Sequence, residues 1–84
     1  KIFNAASWDS AVVYMEQSVA ASPETIYHHL DLAEILAERE RFSEARVHLD
    51  QVAGLPIFDV MDPDYKEQGA ALARRIEGKK DKRR

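Results

Sequence analysis

Residues 8–17 read WDSAVVYMEQ, and residues 42–51 read FSEARVHLDQ. The second stretch repeats the first after a shift of 34 residues: a large aromatic residue opens both, and alanine, valine and glutamine recur at the same places. An internal repeat at a fixed spacing of this size is typical of proteins built from stacked, similar units. The repeat therefore predicts a stack of structural units rather than an unrepeated core.

Apolar residues follow helical spacing along the chain, and no stretch alternates apolar and polar residues as a strand does. We expect four helices, at 8–20, 23–39, 43–53 and 62–77. Residues 1–5 resemble the end of a further helix. Ser22 with Pro23, and Asp62 with Pro63, resemble a capping residue followed by a proline in the first turn, and Ser43 resembles a third cap. The predicted fold class is all-α, with antiparallel helix–turn–helix repeats.

The segment 54–62 between the last two predicted helices is rich in apolar residues. It contains Ile57, Phe58, Val60 and Met61. Because four large apolar side chains in one loop are costly to leave in water, we expect this loop to fold back onto the helices.

Composition limits the classes of function. The 84 residues contain no cysteine, so no disulfide or thiolate metal site is possible. The net charge of −3 is uneven, because residues 1–61 hold ten acidic and four basic side chains, whereas 62–84 hold five and eight. An acidic body disfavours nucleic acid over most of its surface. No apolar stretch is long enough to span a membrane, so we expect a soluble protein. No targeting signal is present, so the sequence does not indicate a cellular compartment.

The repeat resembles the tetratricopeptide repeat, a unit of 34 residues that forms one helix–turn–helix. The residues that match its first helix are His29, Leu32, Ala33 and Leu36, and those that match its second helix are Phe42, Ala45, Leu49 and Val52. One period earlier the second helix is matched by Trp8, Ala11 and Met15, and later the first helix is matched by Tyr65, Gly69 and Leu72. Two positions depart from the family pattern, since His29 replaces an aromatic residue and Glu40 replaces the glycine of the turn.

The resemblance implies about one and a half repeats followed by a terminal capping helix. Residues 1–77 would form one helical domain, with the parts 1–22 (second half of a repeat), 23–56 (a full repeat) and 57–77 (a loop and terminal helix), before a basic flexible tail at 78–84. It also implies that Ala33, Ala45 and Gly69 are small because helix backbones cross closely there. The chain would be a piece of a longer protein. Another array of helical hairpins, or a three-helix bundle, is the competing architecture.

In this family the first helices line a concave groove that holds a protein or peptide. The resemblance places Tyr27, Leu30, Asp31, Glu34 and Glu38 along that groove, with Asn4 on one side and Lys66 on the other. Four of these residues, Tyr27, Asp31, Glu34 and Glu38, are spaced by four, three and four positions and so share one helix face. The implied function is a non-enzymatic interaction module with an acidic groove for a basic or amphipathic segment; the competing interpretation is a solvated helix face.

Family members that bind a carboxylate-ended peptide use lysine, arginine and asparagine in this groove. The matching positions here hold Leu30 and Glu34, so a partner of that kind is not expected. His28 and His29 are adjacent and therefore point in different directions on a helix, which disfavours a metal site. Neither a nucleophile–base pair nor a glycine-rich phosphate loop is recognisable, and we expect no enzyme activity, no cofactor and no small-molecule substrate.

Two alternatives remain open. The segment could serve as a structural cap or a self-associating piece of a longer repeat protein, since the helix at 8–20 lacks a full neighbour and a homodimer would cover it. The tail at 78–84 could contact nucleic acid, but it is short and has no aromatic residue for base stacking. His48 is expected at the surface.

Overall fold

A computed structural model describes residues 5–82 of the chain. Four helices make up this part: α1 (Ala5–Ala21), α2 (Ile26–Glu38), α3 (Phe42–Gly54) and α4 (Asp62–Arg75). No strand occurs between residues 5 and 82, so the predicted all-α class is confirmed. Four helices rather than three pack together in this part of the chain. The helix end predicted at 1–5 lies outside the described residues except for Ala5. Residues 5–7 already belong to α1, so the predicted separation between this helix end and the helix at 8–20 is wrong.

Helix α2 is the central element, because it contacts α1, α3 and α4. Its buried residues, Ile26, His29, Leu30, Leu32, Ala33 and Leu36, cover a surface broad enough to meet three neighbours. The turn between α2 and α3 is three residues long, and short connections place packed helices antiparallel. Glu40 in this turn has a φ of 59°, the left-handed region in which glycine is the favoured residue.

The core consists of two clusters of buried side chains. The larger one joins all four helices, and its members are Val12, Met15, Leu32, Ala33, Leu36, Phe42, Ala45, Leu49, Leu72 and Ile76. The smaller one lies at the beginning of α2 and comprises Ile26, Leu30 and Val52, with Leu55 and Tyr65 packed against it. Every large residue here follows the helical apolar spacing of its own segment, so burial of these stripes stabilises the stack.

The three small residues predicted at helix crossings are all buried, and at Gly69 the structure shows a close approach of two helices. Ala33 and Ala45 have no exposed surface in α2 and α3. Gly69 in α4 lies directly on α3: a Cβ atom placed there would stand 2.8 Å from Cγ1 of Val52. That distance is shorter than a normal carbon–carbon contact, so the crossing requires glycine.

The caps predicted at Ser22, Ser43 and Asp62 are wrong. Asp62 is the first residue of α4, and its carboxylate accepts N–H groups of the preceding loop rather than of the helix. Helix α2 begins at Ile26 rather than at Pro23, because residues 22–25 form a turn in which the N–H of Thr25 donates to the carbonyl of Ser22 at 3.1 Å. Ser43 lies inside the first turn of α3, where its own N–H donates to the carboxylate of Asp81 at 2.8 Å. The capping group of α3 therefore comes from the C-terminal segment.

The loop between α3 and α4 does not fold back on the helices, which corrects the expectation for residues 54–62. Its four large apolar side chains, Ile57, Phe58, Val60 and Met61, are all exposed. The carboxylate of Asp62 accepts hydrogen bonds from backbone N–H groups of this loop. The loop backbone therefore has its polar groups bound locally and needs no apolar contact with the stack.

The C-terminal segment is anchored as far as Lys82, whereas a flexible tail was expected from residue 78. Arg46 donates to the carbonyls of Ile76 and Lys79, and the backbone N–H of Lys82 donates to the carbonyl of Glu40. The side chain of Lys82 also lies 3.2 Å from the carboxylate of Glu40. The segment is exposed to solvent but runs along the turn between α2 and α3. Within residues 5–82, no helix is both long and apolar enough to cross a bilayer.

Candidate functional site

The exposed face of α2 carries four of the predicted site residues, Tyr27, Asp31, Glu34 and Glu38. Their spacing of four, three and four positions places them in one row, opposite the side of α2 that packs into the core. Glu34 and Glu38 are exposed, and Asp31 is half-buried. We call this row the acidic face. The acidic face begins with the aromatic ring of Tyr27 and carries negative charge over the last two turns of α2.

The aromatic end of the acidic face is a pair of tyrosines. The rings of Tyr27 in α2 and Tyr65 in α4 have centroids 5.0 Å apart and planes inclined by 42°. Aromatic pairs in this geometry attract one another beyond the area they bury. The negative charge of Asp31 is the main cause of a raised pKa at Tyr27, followed by burial. The phenol therefore stays neutral and can both donate and accept a hydrogen bond.

The centre of the acidic face is an electrostatically crowded pair of carboxylates. Burial raises the pKa of Asp31, and the neighbouring His28 opposes that shift. Burial also raises the pKa of Glu34, the charge of Asp31 raises it further, and Arg75 lowers it. In both groups ionisation is therefore less favourable than in water. A cation placed between them would offset that cost.

The far end of the acidic face is a shallow recess shared by three helices. Glu34, Ile35 and Glu38 of α2 line it together with Trp8 of α1 and Arg75 of α4. The recess combines a half-buried indole, two exposed carboxylates and one guanidinium. Such a surface can bind a chain that carries both an apolar and a charged side chain.

Two of the predicted groove residues are not on this surface. Leu30 is 2% exposed and packs with Ile26 and Val52, so the groove position assigned to it is wrong. The ammonium of Lys66 donates to the carbonyls of Val52 and Ala53 at 2.7 and 2.9 Å. These contacts direct Lys66 toward the C-terminal end of α3, where it satisfies carbonyls that the helix leaves unpaired. Asn4, predicted on the other side, lies outside the described residues.

Sequence reasoning did not assign Trp8, Tyr65 or Arg75 to the groove. Trp8 and Tyr65 match conserved helix positions of the repeat, and that match does not indicate a role in binding. Arg75 directly precedes Ile76 of the buried stripe of α4, so it had to lie on a flank of that helix. Which flank faces α2 depends on how the helices cross, and the sequence does not contain that angle.

The histidines form a contact of their own on another side of α2. His29 is 4% exposed and lies on the packed side of α2. His48 is half-buried rather than at the surface, and its Nδ1 lies 3.0 Å from Nδ1 of His29. Between residues 5 and 82, no three histidine, aspartate or glutamate side chains come together in a group that could hold a metal ion.

No family model matches this chain, and none of the curated proteins or solved structures compared with it gives a match. The acidic face, with its tyrosine pair and its recess, is therefore the feature on which a function can be based.

Proposed function

We propose that this chain is a non-enzymatic interaction module of the tetratricopeptide type, which presents the acidic face of α2 to a protein or peptide. The observation that carries the proposal is the unpaired negative charge of this face. None of the ion pairs formed within residues 5–82 involves Asp31, Glu34 or Glu38. The pKa values of Asp31 and Glu34 are raised, so ionisation of these two carboxylates is less favourable than in water. A basic partner would offset the cost of burying Asp31 and Glu34 and the repulsion that Asp31 exerts on Glu34, and it would add specificity.

The shape and order of the acidic face suggest the form of its ligand. Tyr27 and Glu38 are eleven residues apart, which on a helix corresponds to about 16 Å. A short peptide of basic and apolar residues would cover that length. Its apolar end would meet the ring pair of Tyr27 and Tyr65, and its basic residues would meet the carboxylates toward Arg75.

The assignment to the repeat type has its own support. The 34-residue internal repeat is one argument, and the left-handed backbone of Glu40, at the place of the family's turn glycine, is another. The buried positions of the full repeat also match, since Leu32, Ala33 and Ala45 all lie in the core. In a repeat of this type the first helix, here α2, supplies the binding surface.

A direct test is the binding of a short helical peptide that is composed of lysine and leucine. With the isotope-labelled chain, we expect amide chemical shifts to move at Tyr27, Glu34 and Glu38, and to stay fixed at Asp50 on the outer side of α3. The binding should weaken as salt is added, because charge contributes to it. Fixed amide shifts along the acidic face at saturating peptide would contradict the proposal.

Self-association is the second candidate function, and exposed apolar residues on α1 favour it. Val13 and Tyr14 are more than half exposed, and they line a shallow recess with Asp9, Ser10 and Gln17. A second copy of the chain, or an adjoining helix of a longer stack, would cover this surface. Sedimentation at increasing concentration tests it: a Val13→Ala/Tyr14→Ala variant should lose any dimer that the unmodified chain forms. A strictly monomeric chain at high concentration would rule this function out.

A further inference from the structure

The loop between α3 and α4 places four large apolar side chains in water within five residues. Phe58 is 77% exposed and Val60 is 89% exposed, and Ile57 and Met61 are also exposed. We call residues 57–61 the apolar loop. A contiguous group of large apolar residues at the surface typically marks a contact site, because water is the least favourable environment for it.

The backbone of the apolar loop is fixed by two carboxylates. One oxygen of Asp62 accepts the N–H groups of both Phe58 and Asp59 at 2.8 Å, and Asp59 accepts the N–H of Met61 at 2.9 Å. Asp62 is only 5% exposed, and these backbone donors, Asp59 first, lower its pKa, so it remains ionised. Phe58 and Val60 are therefore held outward by a defined loop, and a partner would lose little conformational entropy on ordering them.

Acidic residues outnumber basic ones at the apolar loop. Glu24 and Asp59 line a recess beside Phe58, Asp64 follows the loop by three positions, and none of the three joins an ion pair within the described residues. The opposing positive charge is that of Lys66, which contributes to the lowered pKa of Asp62. No lysine or arginine occurs between residues 47 and 65, and Lys66 donates to carbonyls of α3 instead. An acidic rim repels an anionic membrane surface and attracts lysine and arginine.

A recess beside Phe58 gives the apolar loop a receiving surface. It is lined by Glu24, Thr25, Ile26, Phe58, Asp59 and Asp62. An apolar side chain of a partner could lie against Ile26 and Phe58 there. Its basic neighbours would then meet Glu24 and Asp59.

We propose that the apolar loop is a second docking surface, which binds an amphipathic basic segment of another protein. Leucine-like side chains of that segment cover Phe58 and Val60, and its lysine or arginine side chains pair with Glu24, Asp59 and Asp64. The loop lies on the connection between α3 and α4 and uses none of the acidic-face residues. It is therefore independent of the function proposed for α2.

The test uses the whole chain and two fluorescent helical peptides of equal apolar content, one of lysine and leucine and one of glutamate and leucine. We expect the basic peptide to bind, and Phe58→Ala/Val60→Ala to raise its Kd about tenfold or more. A control variant, Val47→Ala, removes an exposed apolar residue from α3 and should leave the Kd unchanged. The acidic peptide should not bind.

Further variants separate this surface from the acidic face and from a merely structural effect. Phe58→Ala/Val60→Ala should raise the Kd by the same factor whether or not Glu34→Lys/Glu38→Lys is also present. This holds even if Glu34→Lys/Glu38→Lys weakens the binding by itself. Asp62→Ala keeps Phe58 and Val60 but releases the loop backbone, so it should also raise the Kd while circular dichroism shows unchanged helicity.

Several results would overturn the proposal. Equal effects of Val47→Ala and of the loop variant would show non-specific apolar binding. Equal binding of both peptides would show that charge has no role. Binding lost only with Glu34→Lys/Glu38→Lys would restrict docking to the acidic face. A dimer, or binding to zwitterionic lipid vesicles, that disappears with Phe58→Ala/Val60→Ala would assign the loop to a different occupant.

Discussion

The Nδ1 atoms of His29 and His48 lie 3.0 Å apart and form a hydrogen bond between α2 and α3. The direction of this bond follows from the other side of the His29 ring. There Nε2 lies 2.7 Å from the carbonyl oxygen of Pro23, which can only accept, so Nε2 of His29 carries a proton. The Nδ1 of a neutral His29 is then the acceptor, and Nδ1–H of His48 is the donor.

This pair predicts that the stability of the protein falls in mild acid. Burial lowers the pKa of His48 from 6.5, and His29 lowers it further, while Glu16 and Glu44 oppose the shift. Because the folded pKa is below the unfolded one, the stabilisation is complete above pH 6.5 and is lost as the pH falls through the folded value. If both rings were fully protonated, Nδ1–H of His29 and Nδ1–H of His48 would face each other, and neither nitrogen could accept the hydrogen bond.

The variant His48→Phe isolates this contribution, because it keeps a ring and removes the donor. We expect it to lower the free energy of unfolding by about 1 kcal/mol at pH 7.5. The difference from the unmodified chain should shrink at pH 5, as measured by urea denaturation at both pH values. A difference that stays constant across this range would disprove the assignment.

The crossing of α3 and α4 gives a second prediction, at Gly69. Alanine is intrinsically the better helix residue by about 1 kcal/mol, so Gly69→Ala would stabilise an open helix. Here the new Cβ would stand 2.8 Å from Cγ1 of Val52, and valine has little rotamer freedom to move away. We therefore expect a net loss of about 1–3 kcal/mol in urea denaturation. Val52→Ala is itself destabilising because Val52 is buried, but Gly69→Ala should cost less in a Val52→Ala background than in the unmodified chain. A gain in stability for Gly69→Ala alone would contradict the crossing.

The sequence was sufficient for the fold wherever a local pattern determines the outcome. The four helices follow from apolar spacing, and Pro63 lies in the first turn of α4 as its chemistry requires. The beginning of α2 was misplaced because the carbonyl of Pro23 is bound by His29, a contact made possible only by the folded turn. The cap of α3 was missed for the same reason, since Asp81 is 38 positions away from Ser43.

The candidate site was predictable in part. The row from Tyr27 to Glu38 follows from helical geometry alone. Leu30 was misassigned because the resemblance supplied a groove position, whereas the packing of α4 over the beginning of α2 decides its burial. Lys66 was misassigned because a lysine on a helix flank can turn to either neighbour, and free carbonyls of α3 were the better acceptors.

A third prediction concerns the conflict between stability and binding at Glu34. Its raised pKa means that the folded chain holds the proton more tightly than the unfolded chain, so ionised Glu34 destabilises the fold at neutral pH. Glu34→Gln should therefore raise the free energy of unfolding by no more than about 0.5 kcal/mol, which would appear as a slightly higher melting temperature. The gain should vanish as the pH falls below the unfolded pKa.

The same variant should weaken binding to a basic peptide, which is the pattern expected at a functional surface. Glu67→Gln is the matched control, since Glu67 is an exposed carboxylate on α4 outside the acidic face. It should change neither property. A Glu34→Gln variant that is less stable than the unmodified chain would show that this carboxylate supports the fold instead.

The anchored C-terminal segment gives a fourth prediction. Because Asp81 caps α3 through the N–H of Ser43, Asp81→Ala should lower stability by about 1 kcal/mol in thermal or urea denaturation. Lys80→Ala in the same segment removes a solvent-exposed side chain and should have an effect below about 0.5 kcal/mol. Equal effects of the two substitutions would mean that the segment does not hold the beginning of α3.

The central claim is that the acidic face of α2 is the working surface of this chain. The most direct measurement is affinity capture from lysate of the source cells with three baits: the unmodified chain, Glu34→Lys/Glu38→Lys, and the control Asp50→Lys/Glu67→Lys, which carries the same change of charge elsewhere. Circular dichroism establishes beforehand that all three are folded. We predict a protein retained by the unmodified chain and by the control, but not by Glu34→Lys/Glu38→Lys. Equal retention by all three baits would contradict the claim and identify the acidic face as solvated surface.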